Sequence, residues 1–329
     1  MGYRAEKEKI EAQIRKIKLI VFCIGLAILL ALCIFSAFCA PSTWKYYLKK
    51  PKVSHRGEGE LRLHFIDVGQ GDSILLELPD GKVALIDGGT PTSASEKAIL
   101  RHLNALKIKT IDYLIVSHSD EDHCGGLKRV LECKTVLNAY LPATKPQNAG
   151  ETYQAFYQQL LEEDCALHYA KRGLTVGNDD YRLTFLSPYQ EQVDNLGAYE
   201  ETSSILWLDY QGLNALFTGD ADAADEEILV RDAQLGLFEN LDVDLSSVEV
   251  LKVSHHGSAY SSSLSFLEYL NLDIAVVSCG KNNPYGHPSE EALKNLATVG
   301  ADLFRTDIDG TVVMTLKPNA GIGVKTLKK

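Results

Sequence analysis

At 329 residues, with 45% hydrophobic and 23% charged residues, the chain can hold one large folded domain plus an appendage, and its composition excludes both disorder and a polytopic membrane protein. Residues 1–60 carry 11 Lys/Arg against 5 Glu, so the whole-chain net charge of −11 leaves −17 on residues 61–329. An acidic main domain repels polyanions at long range, which argues against tight, non-specific duplex binding by a broad basic surface.

The chain opens with a basic tail, residues 1–18, followed by Leu19–Ala40, 22 residues without a charge. At about 1.5 Å per residue this run crosses a hydrocarbon core of roughly 30 Å and reads as one transmembrane helix. A cleaved signal peptide is the competing reading, but the run exceeds the usual apolar core of about 7–15 residues, and Pro41 follows Cys39-Ala40. Basic residues flank both ends: Arg15, Lys16 and Lys18 on one side, Lys45, Lys49, Lys50 and Lys52 on the other. A first helix usually keeps a short basic tail inside, so the expectation is a single-pass protein of the cell membrane with its main domain extracytoplasmic. Trp44, Tyr46 and Tyr47 fall where an aromatic belt would lie, and residues 41–60 form the linker.

From Leu61 onward, in a domain expected over residues 61–329, short β-rich runs alternate with helical spacing. Leu61–Asp67 and Ser73–Leu78 read as strands, Pro79-Asp80-Gly81 as a turn, and Val83–Ile86 as a third strand. Ser95–Leu106 has helical apolar spacing, and Tyr113–Ser117 is a buried-type strand. A helix at Tyr153–Glu163 precedes strands Arg182–Leu186, Ile205–Tyr210 and Ala215–Phe217 and a helix at Ala223–Arg231. Strand Val248–Val253, helix Ser263–Leu270, strand Ile274–Ser278, helix Ser289–Thr298 and terminal strands from Leu303 complete an α/β pattern of sheets covered by helices. The cysteines form no C-x-x-C pair, and a domain this large does not require a disulfide framework.

The sharpest chemical signal is Ser117 to Leu127, where His118, Asp120, Asp122 and His123 stand within six residues after a hydrophobic strand. Residues two apart share a face at a strand end, so His118 and Asp120 can hold one metal while the turn carries Asp122 and His123 to a second position. Gly125-Gly126 permits the close turn this crowding needs. A carboxylate at the end of Ala215–Phe217, Asp220, is placed to bridge two cations, and Val248–Val253 ends in Ser254-His255-His256-Gly257-Ser258.

The run H-x-D-x-D-H-x-G-G, with F-T-G-D and K-V-S-H-H-G-S downstream, resembles the metallo-β-lactamase superfamily. F-I-D-V-G-Q-G-D-S at Phe65–Ser73, L-I-D-G-G at Leu85–Gly89 and Y-G-H-P at Tyr285–Pro288 make it similar to the branch holding the hydrolase domain of ComEC-type competence proteins. The resemblance covers about residues 61–315 and implies an αββα sandwich after the membrane helix. It implies one metal on His118, Asp120 and Asp220 and a second on Asp122, His123, Asp220 and His255, with Asp87 orienting a ligating histidine. A further histidine usually precedes the Asp220 strand, whereas here the stretch reads Glu200-Glu201-Thr202-Ser203-Ser204. The first site is therefore oxygen-rich, and manganese stands beside zinc for the two divalent ions.

Such a pair lowers the pKa of a shared water and neutralises developing charge, which implies hydrolysis, with phosphate esters the best fit. His256, His287 and Lys252 are candidates to protonate a leaving oxygen or grip a non-bridging one, although strand alternation can turn Lys252 away. Gln70, Gly71 and Asp72 form a tight loop bordering the pocket, and Ser258 is a further candidate for substrate contact. The resemblance implies a nuclease acting on DNA outside the membrane, with a competence-type channel partner. A small phosphodiester, such as a cyclic nucleotide or a phosphocholine-bearing polymer, and a catalytically silent metal-binding receptor are the alternatives. β-Lactam hydrolysis rests on fold alone.

Overall fold

The computed structural model describes residues 2–38, 41–196 and 202–328, in two compact units, residues 1–48 and 49–329. The first unit holds a continuous helix, Gly2–Phe38, whose stretch Glu6–Ser36 is long and apolar enough to cross a membrane. The expected span starts at Leu19, but Glu, Lys, Arg, Gln and Ala upstream are good helix formers and carry the helix back to Gly2. Cys39 and Ala40, the expected end of the span, lie outside the described residues. Trp44, in the 3-10 turn Pro41–Tyr46, packs its ring 5.5 Å from that of Phe35, an apolar ledge suited to a membrane boundary.

In the second unit, β1 (Leu61–Phe65), β2 (Ile74–Glu77), β3 (Val83–Ile86), β4 (Thr110–Ile115), β5 (Thr135–Leu141) and β6 (Ala166–Tyr169) make most of one sheet. The other sheet is β7 (Thr175–Gly177), β8 (Tyr181–Phe185), β9 (Leu206–Tyr210), β10 (Leu213–Phe217), β11 (Val250–Lys252), β12 (Ile274–Val277) and β13 (Asp302–Arg305). Finally β14 (Thr311–Lys317) and β15 (Gly321–Leu327) return to the first sheet. The strand orders are β15-β14-β1-β2-β3-β4-β5-β6 and β13-β12-β11-β10-β9-β8-β7.

Alternation along the strands builds the layers. Leu61, Leu63 and Phe65 of β1 join Leu183, Phe185 and Phe217 in the core between the sheets, and the rings of Phe65 and Phe217 lie 6.4 Å apart. Each such side chain contributes about 1.5–3 kcal/mol by leaving water. The opposite face of the second sheet, with Leu216, Leu251 and Val277, packs on Leu229, Phe266 and Leu296 of its covering helices. On the first sheet Ile99, Leu100 and Leu103 of helix Ser93–Ala105 are buried in the same way, giving the αββα sandwich. β5, β6 and β7 escape the sequence reading because Asn138 interrupts the apolar run of β5, and β6 and β7 are only four and three residues long, with His168 in one and a terminal glycine, Gly177, in the other.

In each sheet one half is parallel, β3 to β6 and β10 to β13, so consecutive strands open their carboxyl ends to the same side. Asp87, Ser117-His118, Asp220, Ser254–His256 and Ser278 all follow such ends, where open α/β sheets place their ligands. Two glycines are required by close approach. A Cβ on Gly71 (φ +107) would fall 2.1 Å from the Asp122 carbonyl oxygen, and one on Gly126 would fall 2.3 Å from that of Gly88.

Candidate metal centre

The centre is organised around Asp220, which follows β10 and whose amide donates to Ser203 Oγ at 2.9 Å. Its Oδ1 lies 3.1 Å from His123 Nε2. Its Oδ2 lies 3.5 Å from His256 Nε2, 3.5 Å from His255 Nε2 and 3.9 Å from His118 Nε2. One carboxylate thus faces four imidazoles from two other strand ends, those of β4 and β11.

The tautomers of two of those rings follow from their partners. His256 Nδ1 is 2.9 Å from the Ser278 carbonyl oxygen, which can only accept, so Nδ1 carries the proton. His123 Nδ1 sits 2.8 Å from Asp87 Oδ2 and donates to it. Asp87, at φ +60, also accepts from the Ser117 amide at 2.8 Å and hydroxyl at 2.6 Å, so its carboxylate is fully occupied behind the histidine. In their neutral forms His123 and His256 then point bare Nε2 lone pairs at each other across 3.3 Å. Two acceptors cannot bond each other, and about 3.3 Å is the separation of two ligands held tetrahedrally at 2.0–2.1 Å from zinc. Asp122 Oδ2, 3.2 Å from His256 Nε2, closes this group.

A second group also faces Asp220 Oδ2. His118, whose Nδ1 approaches the hydroxyls of Ser117 at 3.0 Å and Ser203 at 3.4 Å, sends Nε2 to 3.7 Å from Asp120 Oδ2. His118 Nε2 and Asp220 Oδ1 are buried without a hydrogen-bond partner, and each such atom costs about 1–3 kcal/mol if left so. Cations among these atoms would satisfy both, so the donor set fits divalent metal.

Electrostatics agree. Burial opposes charge on His123, but Asp220 and Asp87 outweigh it and raise its pKa well above the usual imidazole range. Burial would likewise raise Asp220, yet His123 and His256 hold it well below the carboxylate range. Burial, with His123 beside it, depresses His118 to about 3. Asp122 resists its own burial through contact with His256 and the field of His123 and falls to about 2. The carboxylates collect positive charge, whether proton or metal.

Behind the rings, Asp72 and Lys252 form a buried ion pair, Oδ2 to Nζ at 2.5 Å, with Nζ also donating to the Gly219 carbonyl at 3.0 Å. The oxygens of Asp72 come within 4.8 Å of donor atoms on His123, Asp220 and His256. Its contacts, however, are to Nδ1 of His123 at 3.8 Å and Nδ1 of His256 at 3.6 Å, the protonated sides facing away from the shared space. Asp72 therefore backs the rings.

The structure brings together all the residues expected to ligate, with one exchange of position. His256, expected as a proton donor, is buried in the group with Asp122 and His123, while His255, expected as its ligand, has a side chain 40% exposed and faces Asp220 from the side. Both have left-handed backbone, φ 46 and 54, so the alternation carried forward from β11 does not hold through the turn. Lys252 is a correction: fully buried and committed to Asp72 and Gly219, it cannot protonate a leaving group. Gln70 and Ser258, expected to touch substrate, spend polar atoms on the fold, accepting from the amides of Gly280 and Tyr260. His287 does reach the mouth, its ring 5.6 Å from that of His255, and burial, with His256 and His255 beside it, lowers its pKa. Glu200 and Glu201 lie outside the described residues. Ser117 and Ser203, which clamp His118 and Asp220, were not anticipated, although Ser117 directly precedes the first histidine at the end of a buried strand.

The family model of the metallo-beta-lactamase superfamily matches residues 66–281. Over 289 residues the chain is 30% identical to ComE operon protein 3 of Bacillus subtilis (strain 168), covering 82% of this chain and 34% of that one. Over 274 residues it is 31% identical to competence protein ComA of Neisseria gonorrhoeae, covering 82% and 35%. The chain thus spans about a third of the length of these relatives. Among solved structures, the metallo-beta-lactamase fold protein YhfI from Bacillus subtilis superposes with a TM-score of 0.51 at 11% identity, over 78% of this chain and 100% of that one, a likeness of fold.

Proposed function

We propose, from the premise that the chain belongs to the metallo-beta-lactamase superfamily, that it is a membrane-anchored, metal-dependent phosphodiesterase that cuts DNA. The observation that carries this reading is the pair of buried Nε2 atoms of His123 and His256, 3.3 Å apart beside the Asp220 carboxylate, an arrangement that suits a cation. Asp122, His123, Asp220 and His256 would hold one divalent ion, zinc or manganese. His118, Asp120, Asp220 and His255 would hold the other, His255 supplying the imidazole that the stretch before β10 lacks. Bound there, two such ions supply Lewis acidity toward a phosphoryl oxygen and a water acidic enough to attack at neutral pH.

The chain's own groups do the rest. Asp87 and the Ser278 carbonyl hold the Nδ1 protons of the two rings, so Nε2 is the nitrogen each neutral ring offers to a cation. The Asp72–Lys252 pair backs those rings with a net charge of zero, leaving the charge of the front carboxylates for the cations. His287, beside His255 at the mouth, is placed to donate a proton to the departing oxygen. Tyr285 is 68% exposed and its ring stacks 5.7 Å from that of His287, offering a face to a nucleobase. One of the two relatives is named competence protein ComA, which supports DNA as substrate, a competence-type channel as partner and an extracytoplasmic domain.

The net charge of −17 on residues 61–329 favours instead a small phosphodiester such as a cyclic nucleotide. Purified full-length protein in detergent, assayed with manganese or zinc on bis-p-nitrophenyl phosphate, labelled single-stranded DNA and cyclic dinucleotides, separates the readings. Cleavage of the ester and the DNA, abolished by EDTA and by Asp220→Asn, is the expected result. Full metal loading without turnover of any substrate would reduce the protein to a metal-binding receptor.

A further inference from the structure

The net charge of residues 61–329 is an average, and one region departs from it. A cavity of about 830 Å³ is lined by Lys49, Lys52, Lys97, Arg101, Lys325 and Lys328 against one carboxylate, Asp67. The cations converge from three elements: the segment before β1, helix Ser93–Ala105 and the end of β15. Lys97 and Arg101 stand four residues apart and so point the same way from the helix. Among the described residues no carboxylate forms an ion pair with Lys49, Lys52, Lys97, Lys325 or Lys328. Gathering like charges around a cavity raises its potential and concentrates anions there.

Its place in the sheet is informative. Register pairs Thr311 with Leu327 and Val312 with Phe65, so Asp67, Thr311 and Leu327 in the cavity wall lie at one end of the first sheet. The register continues from Phe65 to Ile74, from Ile74 to Ile86 and from Ile86 to Ile115. Asp72, Asp87 and His118 therefore leave the sheet at that same end. No residue of the metal cluster lines the cavity, yet the two share the loops that follow β1 and β3. From β15 to β4 is five strand spacings, about 24 Å, and from β1 to β3 about 10 Å. A chain of phosphodiesters lying along this edge reaches both.

We propose that the cavity binds the sugar-phosphate backbone of a single-stranded nucleic acid, a few nucleotides from the bond presented to the metal centre. This rests on the nuclease reading and removes its charge objection, because the acidic domain carries its own local basic receptor. Five of the six cations are lysines, whose compact charges suit contact with phosphates independent of sequence. The side chains of Ile66, Ala94, Ala98 and Leu327 between them offer apolar contact to sugars.

The test uses the full chain in detergent micelles with EDTA and a fluorescent oligothymidylate of about 20 nucleotides, longer than the ~4–16-nucleotide footprint of a single-strand binding module. Two charge reversals are compared with the wild type, Lys97→Glu with Arg101→Glu, and Lys325→Glu with Lys328→Glu. The milder Lys97→Gln with Lys325→Gln is included, and circular dichroism confirms folding. Each reversal should weaken binding at least about tenfold and lower the slope of log K against log salt by about 1.4, two lost phosphate contacts. Hydrolysis of bis-p-nitrophenyl phosphate with manganese, an ester too small to reach the cavity, should be unchanged.

Wild-type protein that does not bind the oligonucleotide, or variants that bind it equally well, overturn the proposal. So does a loss confined to co-sedimentation with phosphatidylglycerol vesicles, which would assign the cavity to lipid headgroups. Because binding is read without metal, variants that lose the oligonucleotide while the wild type cuts neither ester nor DNA would leave the cavity standing and refute the nuclease instead.

Discussion

Replacing Lys252 by methionine keeps a long side chain and removes its charge, leaving the Asp72 carboxylate buried at 1% exposure with Oδ1 lacking a hydrogen-bond partner. Nζ now sits 2.5 Å from Asp72 Oδ2 and 3.0 Å from the Gly219 carbonyl, so both contacts vanish together. Breaking a buried pair by removing one partner costs about 3–5 kcal/mol, because the other charge stays buried and uncompensated. At roughly 2–4 °C per kcal/mol for a domain of this size, Tm should fall by roughly 6–20 °C. The double variant Asp72→Asn with Lys252→Met removes both charges and should recover about 2 kcal/mol or more of that loss. Urea denaturation of the three variants and the wild type in EDTA, followed by circular dichroism, completes the cycle. A loss below about 1 kcal/mol for Lys252→Met, or a double variant no more stable than the single, would refute the reasoning.

Other consequences follow from the same geometry. Asp87→Asn removes the acceptor that holds His123 Nδ1, and metal affinity measured by competitive chelator titration should fall about 10–100-fold with the fold intact. His256→Ala should abolish one metal equivalent and His255→Ala the other, read by elemental analysis; identical stoichiometries would contradict the division drawn here. Stability should also respond to pH through His64 and His102, both buried, whose pKa values are lowered chiefly by burial. His102 Nε2 donates to His64 Nδ1 at 3.0 Å and His64 Nε2 donates to Glu77 at 2.9 Å, so both rings are neutral when folded. The unfolded chain binds the extra protons below about pH 6.5, so stability is lost as pH falls from 6.5 to 5.5, with a ceiling of about 1 kcal/mol for each ring. His102→Gln keeps the donor without the titration and should lower that slope; an unchanged slope in urea titrations at both pH values would contradict the assignment.

Much of the centre is legible in the chain because metal ligands are a restricted set of side chains and strand ends gather them. His118, Asp120, Asp122 and His123 crowd one turn, and Asp220 follows a buried strand at a distance in sequence that the packing of the two sheets closes. What the chain does not disclose is direction. The order of His255 and His256 depends on left-handed backbone that no pattern of alternation foretells. Whether Asp72 faces the cations or backs the rings depends on Lys252, whose burial joins it to Asp72. The helix Gly2–Phe38 runs past its apolar part because helix propensity ignores the boundary that hydropathy marks. The basic cavity draws on residues separated by more than two hundred positions, and only the pairing of β15 with β14 and β14 with β1 brings them to one rim.

The central claim is that Asp220 stands between two cation positions, one of them faced by Nε2 of His123 and His256. Anomalous diffraction from crystals soaked in manganese or zinc locates the ions directly. Two peaks about 3.5–4 Å apart flanking the Asp220 carboxylate, one between His123 and His256, are the predicted result. A metal seated instead on the Asp72 and Lys252 side of the rings, or no anomalous peak at Asp220 after full loading, would contradict it.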